Sequence, residues 1–247
     1  MTGTNYRNDW SMKRLLDILQ YKITSPYRAV KNSKSQKVFC IGKNKTGTTS
    51  MAHLFRELGL EVGVQRKAEV LTEDWLHGEY SRLIRYVKYG GQAFQDIPFS
   101  LPGTYKVLDR AFPDSLFILT ERKNADVWCD SLINFHSKVF GNGQVPTRKD
   151  LQEATYVYKG FAWEMMNALH TVDPENIYDR AVLISDYERY NRLVKEYFAN
   201  ANHKLLVVTL EDENIVEKVK CFLNIEATLM QMPWENKTSI TNYGGTD

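Results

Sequence analysis

The chain has 247 residues, of which 43% are hydrophobic and 25% are charged, and its formal net charge at pH 7 is +2. This length and composition suit one α/β domain with a sizeable core, and the nearly balanced charge gives no reason to expect nucleic acid as a partner. The chain contains no apolar run long enough for a transmembrane helix, and its polar N-terminus lacks the pattern of a signal peptide.

The three cysteines are widely spaced and odd in number: Cys40, Cys129 and Cys221. They form no Cys/His cluster with the spacing of a zinc site. We therefore expect no metal centre, and we expect a reducing, cytoplasmic location.

Residues 1–36 are predicted to form a basic helical segment that packs on a single domain of residues 37–247. Residues 1–67 contain 13 Lys and Arg residues against four Asp and Glu residues. A set of apolar residues near the N-terminus has helical spacing and favours packing: Met12, Leu15, Leu16, Ile18 and Leu19. The basic residues beside this stripe also allow weak contact with an anionic membrane surface.

Residues 37–59 indicate a strand, a glycine-containing loop and a helix. Val38–Ile41 has the apolar and β-branched content of a buried parallel strand. The helix is indicated by apolar residues on one face, followed by Gly59 as a C-terminal signal: Met51, Leu54, Phe55 and Leu58. A loop that runs into a helix N-terminus in this way binds phosphate-like anions through free backbone N–H groups and the helix dipole.

The loop itself differs from the Walker A sequence G-x-x-x-x-G-K-[ST]. Gly42 and Gly47 have the Walker separation, but Thr48 follows the second glycine where a kinase has lysine. Lys45 supplies the positive charge two residues earlier, and Gly47 lets the backbone approach an anion closely. Hydroxyl donors follow Gly47 along the helix start: Thr48, Thr49 and Ser50.

Residues 90–100 indicate a second strand that ends at Asp96, followed by Ile97-Pro98-Phe99. Open α/β sheets bind ligands at the carboxyl ends of their strands, which makes Asp96 a candidate general base. The alternative is a turn in which the Asp96 side chain bonds the backbone around Pro98. The sequence does not decide between these two roles.

Leu116–Leu119 indicates a third buried strand that ends at Thr120, Glu121 and Arg122. Residues 124–126 offer capping groups for a helix that begins near Val127. Arg122 follows the strand, and its planar guanidinium can hold two phosphate oxygens. Ser131 on the helix can donate one hydroxyl hydrogen bond. The alternative for Arg122 is a surface ion pair with Glu121 or Asp126, which would contribute little.

The remaining segments are predicted more coarsely. Residues 140–149 are rich in Gly, Asn and Pro and indicate a loop that either borders an acceptor site or has no role. A helix in the region of residues 188–200 precedes a strand at Leu205–Thr209, and a further helix passes through Val219 and Phe222.

Several of these segments resemble the sulfotransferase family, bacterial members in particular. Residues 45–49, Lys-Thr-Gly-Thr-Thr, are similar to the family's 5′-phosphosulfate loop P-K-[ST]-G-T-T, with Asn44 in place of the usual proline. Further similarities are the arginine-ended strand with a serine on the next helix, the D-x-P-F pattern at residues 96–99, and P-x-x-N-K-T at residues 233–238. The resemblance covers residues 37 to about 240.

The resemblance implies a three-layer, P-loop-like α/β fold with a mostly parallel sheet. It also implies a metal-independent enzyme that moves a sulfuryl group from 3′-phosphoadenosine 5′-phosphosulfate to a hydroxyl or amine of a small molecule or glycan. The residues implied to bind this cofactor are Lys45, Thr46, Gly47, Thr48, Thr49, Ser50, Arg122 and Ser131. Arg122 and Ser131 would hold its 3′-phosphate, although they are nine positions apart where the family usually has eight.

Catalysis would require Lys45 on the leaving 5′-phosphate oxygen and a general base. Asp96 is the first candidate for the base, and His136, which follows Ser131 on the same predicted helix, is the second; His53 and His77 have weaker claims. Two other functions stay open: a P-loop kinase of small molecules that uses ATP and magnesium, and a nucleotide-binding module without catalysis. The acceptor and the oligomeric state are not defined by the sequence.

Overall fold

The computed structural model describes residues 26–170 and 173–226, and a four-stranded parallel sheet lies at its centre. The strand order is β2-β1-β3-β4, and each neighbouring pair is parallel. The strands are β1 (Val38–Cys40), β2 (Ala93–Gln95), β3 (Leu116–Glu121) and β4 (Leu205–Thr209).

Helices connect these strands. Residues 26–34 are helical and form α1. The others are α2 (Thr48–Glu57), α3 (Gln65–Glu69), α4 (Thr72–Leu76), α5 (Ser81–Gly90), α6 (Thr104–Ala111), α7 (Ala125–Phe140), α8 (Arg148–Glu153), α9 (Phe161–Leu169), α10 (Arg180–Tyr197) and α11 (Ile215–Leu223). None of the helices within the described ranges is long and apolar enough to cross a membrane.

The sheet separates two apolar layers because successive strand side chains point to opposite faces. Val38 and Cys40 face a cluster built from α2 and α11, whereas Phe39 faces a cluster built from α5, α6 and α10. β3 divides in the same way, with Ile118 on the first face and Phe117 on the second. Both faces are therefore covered, which gives the three-layer α/β arrangement that the sequence predicts.

The strand order creates a switch point between β1 and β3. The chain leaves β1 for β2 on one side and then returns to β3 on the other. Parallel α/β sheets bind ligands outside the carboxyl ends of the strands at such a point. The segments that emerge there are the loop after β1, residues 41–47, and the residues after β3 that begin with Arg122.

The predicted elements are confirmed with small shifts. The end of β3 at Glu121 agrees with the prediction, and α7 is longer than predicted: it begins at Ala125, where Asn124 Oδ1 accepts a hydrogen bond from Val127 N at 2.8 Å. The apolar face of α2 is fully inside, and Gly59 adopts φ +80° after it. The loop predicted at residues 140–149 is shorter, because α7 includes Phe140 and α8 begins at Arg148. The N-terminal apolar stripe and the P-x-x-N-K-T segment lie outside the described residues.

Candidate active site

The loop after β1 leaves no room for side chains at its two glycines. A Cβ atom on Gly42 would lie 2.0 Å from Thr120 Oγ1, and one on Gly47 would lie 2.2 Å from Leu210 Cδ1. Gly47 also has φ +88°, a conformation that side chains other than glycine adopt at a cost. The two glycines therefore let the loop pass close to β3 and to the segment after β4.

Helix α2 begins with unpaired backbone donors. Gly47 occupies the N-cap and no side chain caps the helix there. The first bond of the helical ladder joins Met51 N to Gly47 O at 3.0 Å, so the amides of Thr48 and Thr49 precede it. Together with the helix dipole, these N–H groups form a site for an anion.

Hydrogen bonds to β3, α7 and α10 brace this loop. They join Thr46 Oγ1 to Lys43 O (2.6 Å) and to Thr120 Oγ1 (2.7 Å), Trp128 Nε1 to Asn44 O (3.0 Å), and Tyr190 OH to Ile41 O (2.7 Å). Thr46 is fully buried, so its side chain fixes the loop from below and does not reach the cavity.

Lys45 lies at the centre of the loop with φ +69°. Its Nζ is 4.2 Å from the centroid of the Phe135 ring on α7. Burial lowers the pKa of the Lys45 ammonium; the charge of Asp96 acts in the opposite direction, and Arg122 and Lys138 add to the lowering. The amine therefore lines the cavity under the influence of one carboxylate and two other cations.

Asp96 follows β2 directly and faces the start of α2. Its Oδ2 accepts a hydrogen bond from Thr48 Oγ1 at 3.2 Å, and its Oδ1 accepts one from Ile97 N at 2.9 Å. Burial raises the pKa of the Asp96 carboxyl against these two hydrogen bonds, and the negative charge of Glu69 raises it further. A carboxylate with a raised pKa is a better proton acceptor than an ordinary surface aspartate.

Lys45 and Asp96 share an uncommon backbone conformation. Among the described residues, the non-glycine positions with positive φ are Lys45, Asp96, Asn142 and Asn224. Asparagine and aspartate tolerate this left-handed region, whereas lysine does not favour it. Such strain of the backbone occurs preferentially at functional sites, and here it occurs at Lys45, in the loop that leads into α2.

Arg122 directly follows β3, and Ser131 lies on α7; both line the same cavity as Asp96. Arg122 Nε is buried without a hydrogen bond among the described residues, and it lies 3.5 Å from Glu211 Oε1, an ion-pair distance without hydrogen-bond geometry. The surface partners considered from the sequence are wrong, because Glu121 pairs with Lys195 and Asp126 with Arg180.

The usual family spacing of eight residues from Arg122 would put Asp130, instead of Ser131, in the role of its phosphate-binding partner. The Asp130 carboxylate is exposed and bonds Arg180. Ser131 lines the same cavity as Arg122 and carries no competing charge. Asp130 lines the cavity as well, but only Ser131 lacks a negative charge, so Ser131 stays the candidate partner of Arg122.

His136 is brought to the same cavity but is neutral there. Its Nδ1 lies 2.8 Å from Tyr178 OH, and only 7% of the residue is exposed. Burial lowers the pKa of His136 to about 3, and the charges of His170 and Lys45 contribute. An imidazole with so low a pKa is a weak proton acceptor.

One cavity of about 960 Å³ connects these residues. Its lining includes the sequence-predicted site residues Lys45, Gly47, Thr48, Thr49, Ser50, Asp96, Arg122, Ser131 and His136. The volume lies at the upper end of the range for small-molecule sites, so it can take a nucleotide and a second molecule.

The cavity is also lined by titratable residues that the sequence patterns do not identify as part of the site. Lys43 is 6% exposed and lies within the loop, Glu69 is at the end of α3, and His170 follows α9. The signal for Lys43 is its place directly after a buried strand, where a lysine cannot reach open solvent easily. Glu69 and His170 have no such signal, because short helices leave no clear periodicity.

Comparison with known proteins agrees with this arrangement. A search of curated proteins finds no match. A family model described as a sulfotransferase domain matches residues 37–240, which is most of the chain and includes every residue of the cavity lining. This match confirms the resemblance drawn from the loop motif, together with the P-loop-like α/β fold. The chain therefore belongs to the sulfotransferase-domain family, which catalyses sulfuryl transfer.

Proposed function

We propose that this protein transfers a sulfuryl group from 3′-phosphoadenosine 5′-phosphosulfate to a hydroxyl or amine of a small molecule or glycan. The observation that carries the proposal is that one cavity joins the N-terminus of α2, Lys45 and Asp96 to Arg122 and Ser131. The first three suit a reacting anionic centre, and the last two suit a second, distant phosphate.

The residues fit the two ends of this nucleotide. Free amides at the start of α2 can bind its 5′-phosphate, with hydroxyl groups from Thr48 and Thr49 beside them. Arg122 has a buried Nε without a hydrogen bond in the described part of the chain, and a 3′-phosphate oxygen would satisfy it. Ser131 would donate one more hydrogen bond to that phosphate.

The bound nucleotide would supply the activated sulfuryl group, and 3′-phosphoadenosine 5′-phosphate would be the leaving group. Lys45 stabilises negative charge at the leaving 5′-phosphate oxygen, and the amides of Thr48 and Thr49 hold that phosphate in place. Asp96 accepts the proton of the acceptor hydroxyl, while its bond from Thr48 fixes the carboxylate beside the anion loop. We prefer Asp96 to His136 as the base, because burial raises the pKa of Asp96 and lowers that of His136.

Further features follow from the same proposal. We propose that the reaction needs no metal ion and that residues 37–247 form one catalytic domain, with residues 1–36 packed against it. The cytoplasm is the proposed compartment, because Cys40, Cys129 and Cys221 are all free thiols.

The test is calorimetric binding of 3′-phosphoadenosine 5′-phosphate and of ATP, each with magnesium and with EDTA. We expect the bisphosphate to bind with a micromolar Kd in both conditions, and we expect Arg122→Ala to weaken it at least about tenfold by removing a charge-assisted pair. Adenosine 5′-phosphate lacks the 3′-phosphate, so its affinity should be unaffected by Arg122→Ala. A preference for ATP with magnesium would instead support a small-molecule kinase, and binding of neither nucleotide would refute the proposal.

A further inference from the structure

Lys43 occupies a part of the cavity wall that the proposed reaction does not use. We call this part the basic recess and define it by Lys43, Trp128 and His170, with Leu132 and Met166 as apolar neighbours. The Nζ of Lys43 lies 5.7 Å from the centroid of the Trp128 ring and 5.5 Å from that of Tyr190. The recess thus presents one ammonium group framed by aromatic and aliphatic side chains.

The ammonium of Lys43 has no acceptor within the described part of the chain. The residue is 6% exposed, and no hydrogen bond or ion pair joins its Nζ to any residue of 26–170 or 173–226. The negative charge of Asp186 acts on Lys43 without a hydrogen bond to it, and the two Asp186 oxygens accept hydrogen bonds from His170 Nδ1 at 2.9 Å and from Arg189 Nη2 at 2.7 Å.

A buried cation without an anionic partner is unfavourable. Burying a charge costs free energy unless the charge is paired and hydrogen-bonded, and the faces of two aromatic rings offset only part of that cost. The other titratable groups of the recess do not neutralise it: burial lowers the pKa of His170 to about 4 and of His136 to about 3, so both are neutral at pH 7. An anionic group that enters the recess from the cavity would complete the interaction.

The recess is distinct from the site of the leaving phosphate. Lys45 lies over Phe135, whereas Lys43 lies over Trp128, which is two helical turns earlier on α7. These ring positions are separated by about 10 Å along the helix axis. The two lysines therefore lie over different turns of α7, and both line the cavity that also contains Asp96.

We propose that the sulfuryl acceptor carries a carboxylate or phosphate group, and that Lys43 in the basic recess binds this group and orients the acceptor hydroxyl toward Asp96. This inference rests on the proposed function and adds the substrate class. Lys43 is a specificity-determining residue in this scheme. Burial lowers its pKa to about 8, with Asp186 opposing and Arg189 adding to the shift, so that the ammonium is mostly charged at neutral pH.

The test uses small aromatic probes on protein saturated with 3′-phosphoadenosine 5′-phosphate. Benzoate and phenyl phosphate supply the two anionic groups, and benzamide is the neutral counterpart of benzoate. We expect benzoate or phenyl phosphate to bind at least about tenfold more tightly than benzamide. Lys43→Met should abolish this difference, and Lys43→Arg should retain it.

Lys106→Met is the matched control, because Lys106 Nζ also lies over two aromatic rings, Tyr105 and Tyr197, but outside the cavity. Lys106→Met should bind the probes as the wild type does. Lys43→Met should also raise the melting temperature of the ligand-free protein, since it removes an unpaired buried charge. A lower melting temperature would show that Lys43 is a structural lysine and would overturn the proposal.

Two further results would overturn the proposal. One is equal affinity of the wild type for benzoate and benzamide. The other is displacement of the bound anionic probes from the wild type by the bisphosphate. The outcome for the proposed function is separate. If the bisphosphate does not bind at all, the donor site fails, while Lys43-dependent probe binding by nucleotide-free protein still supports an anion site in the recess.

Discussion

Asp96→Asn separates a proton acceptor from a turn residue. The substitution keeps the shape of the side chain and tolerates the positive φ of 61° at this position. The asparagine oxygen can still accept the bond from Ile97 N, and its amide can donate to Thr48 Oγ1 in place of the present bond. The negative charge and the ability to take a proton are the properties that change.

The expected loss follows from those properties. A positioned general base contributes roughly 10²–10⁴-fold to the rate, which corresponds to about 3–5 kcal/mol of transition-state stabilisation. Asp96→Asn should lower the catalytic rate but increase the folding stability. Because burial raises the pKa of Asp96, the folded state disfavours its charged form, and the stability that the neutral form provides is lost as the pH rises through the raised pKa. Asp96→Asn should therefore raise the melting temperature at pH 7.

The assay is release of 3′-phosphoadenosine 5′-phosphate from the phosphosulfate, with an acceptor hydroxyl that supports turnover by the wild type. The wild-type kcat/KM should rise with pH as Asp96 loses its proton, with an inflection above the ordinary aspartate value of 3.8. Asp96→Asn should lower kcat about 100-fold or more and remove this acid limb. Asp114→Asn, at an exposed position, is the matched control. If Asp96→Asn turned over at the wild-type rate, Asp96 would be a structural residue of the turn and not the general base.

Two more predictions concern the loop and the fold. Gly47→Ala should weaken bisphosphate binding at least about tenfold in calorimetry, since its Cβ would lie 2.2 Å from Leu210 Cδ1. Gly59→Ala, at φ +80° with no atom within 4 Å of the added Cβ, is the control and should show only the left-handed strain of about 1–2 kcal/mol in the free energy of unfolding. Equal effects of the two variants on bisphosphate affinity would contradict the steric argument. Lys37→Met should lower the free energy of unfolding in urea by about 3 kcal/mol, because the buried Lys37 Nζ donates to three backbone carbonyls at 2.6, 2.7 and 3.3 Å. Lys34→Met, at an exposed position, is the control. An equally small effect of both substitutions would show that the three Lys37 hydrogen bonds do not stabilise the fold.

The sequence predicts those parts of the site that local chemistry determines. The loop from Gly42 to Thr49 joins a buried strand to an amphipathic helix, and both flanking elements have strong local patterns. Asp96 is predicted in the same way, since it follows an apolar strand and precedes Pro98. Arg122 is identified by the strand before it. Parallel strands then bring these three positions to one edge of the sheet without further information.

Other features depend on contacts between distant segments and have no local signature. The aromatic environment of Lys43 is formed by Trp128 and Tyr190, far along the chain, so its place after a buried strand indicates burial but does not identify the side chains around its amine. The pairing of Arg122 with Glu211 depends on β4 lying beside β3. The roles of Asp96 and His136 differ through burial, which the sequence does not specify for single polar residues.

The bracing of the loop after β1 has a thermodynamic consequence. Its backbone carbonyls accept hydrogen bonds from Trp128 and Tyr190, and its Thr46 side chain bonds Thr120; all three partners belong to the protein and not to the nucleotide. Ordering a flexible backbone would cost about 1–2 kcal/mol for each residue, and a loop that is ordered beforehand avoids this cost when the ligand arrives. Nucleotide affinity should therefore reflect mainly the charges at the two ends of the ligand, and little of it should be lost to folding of the loop around the phosphate.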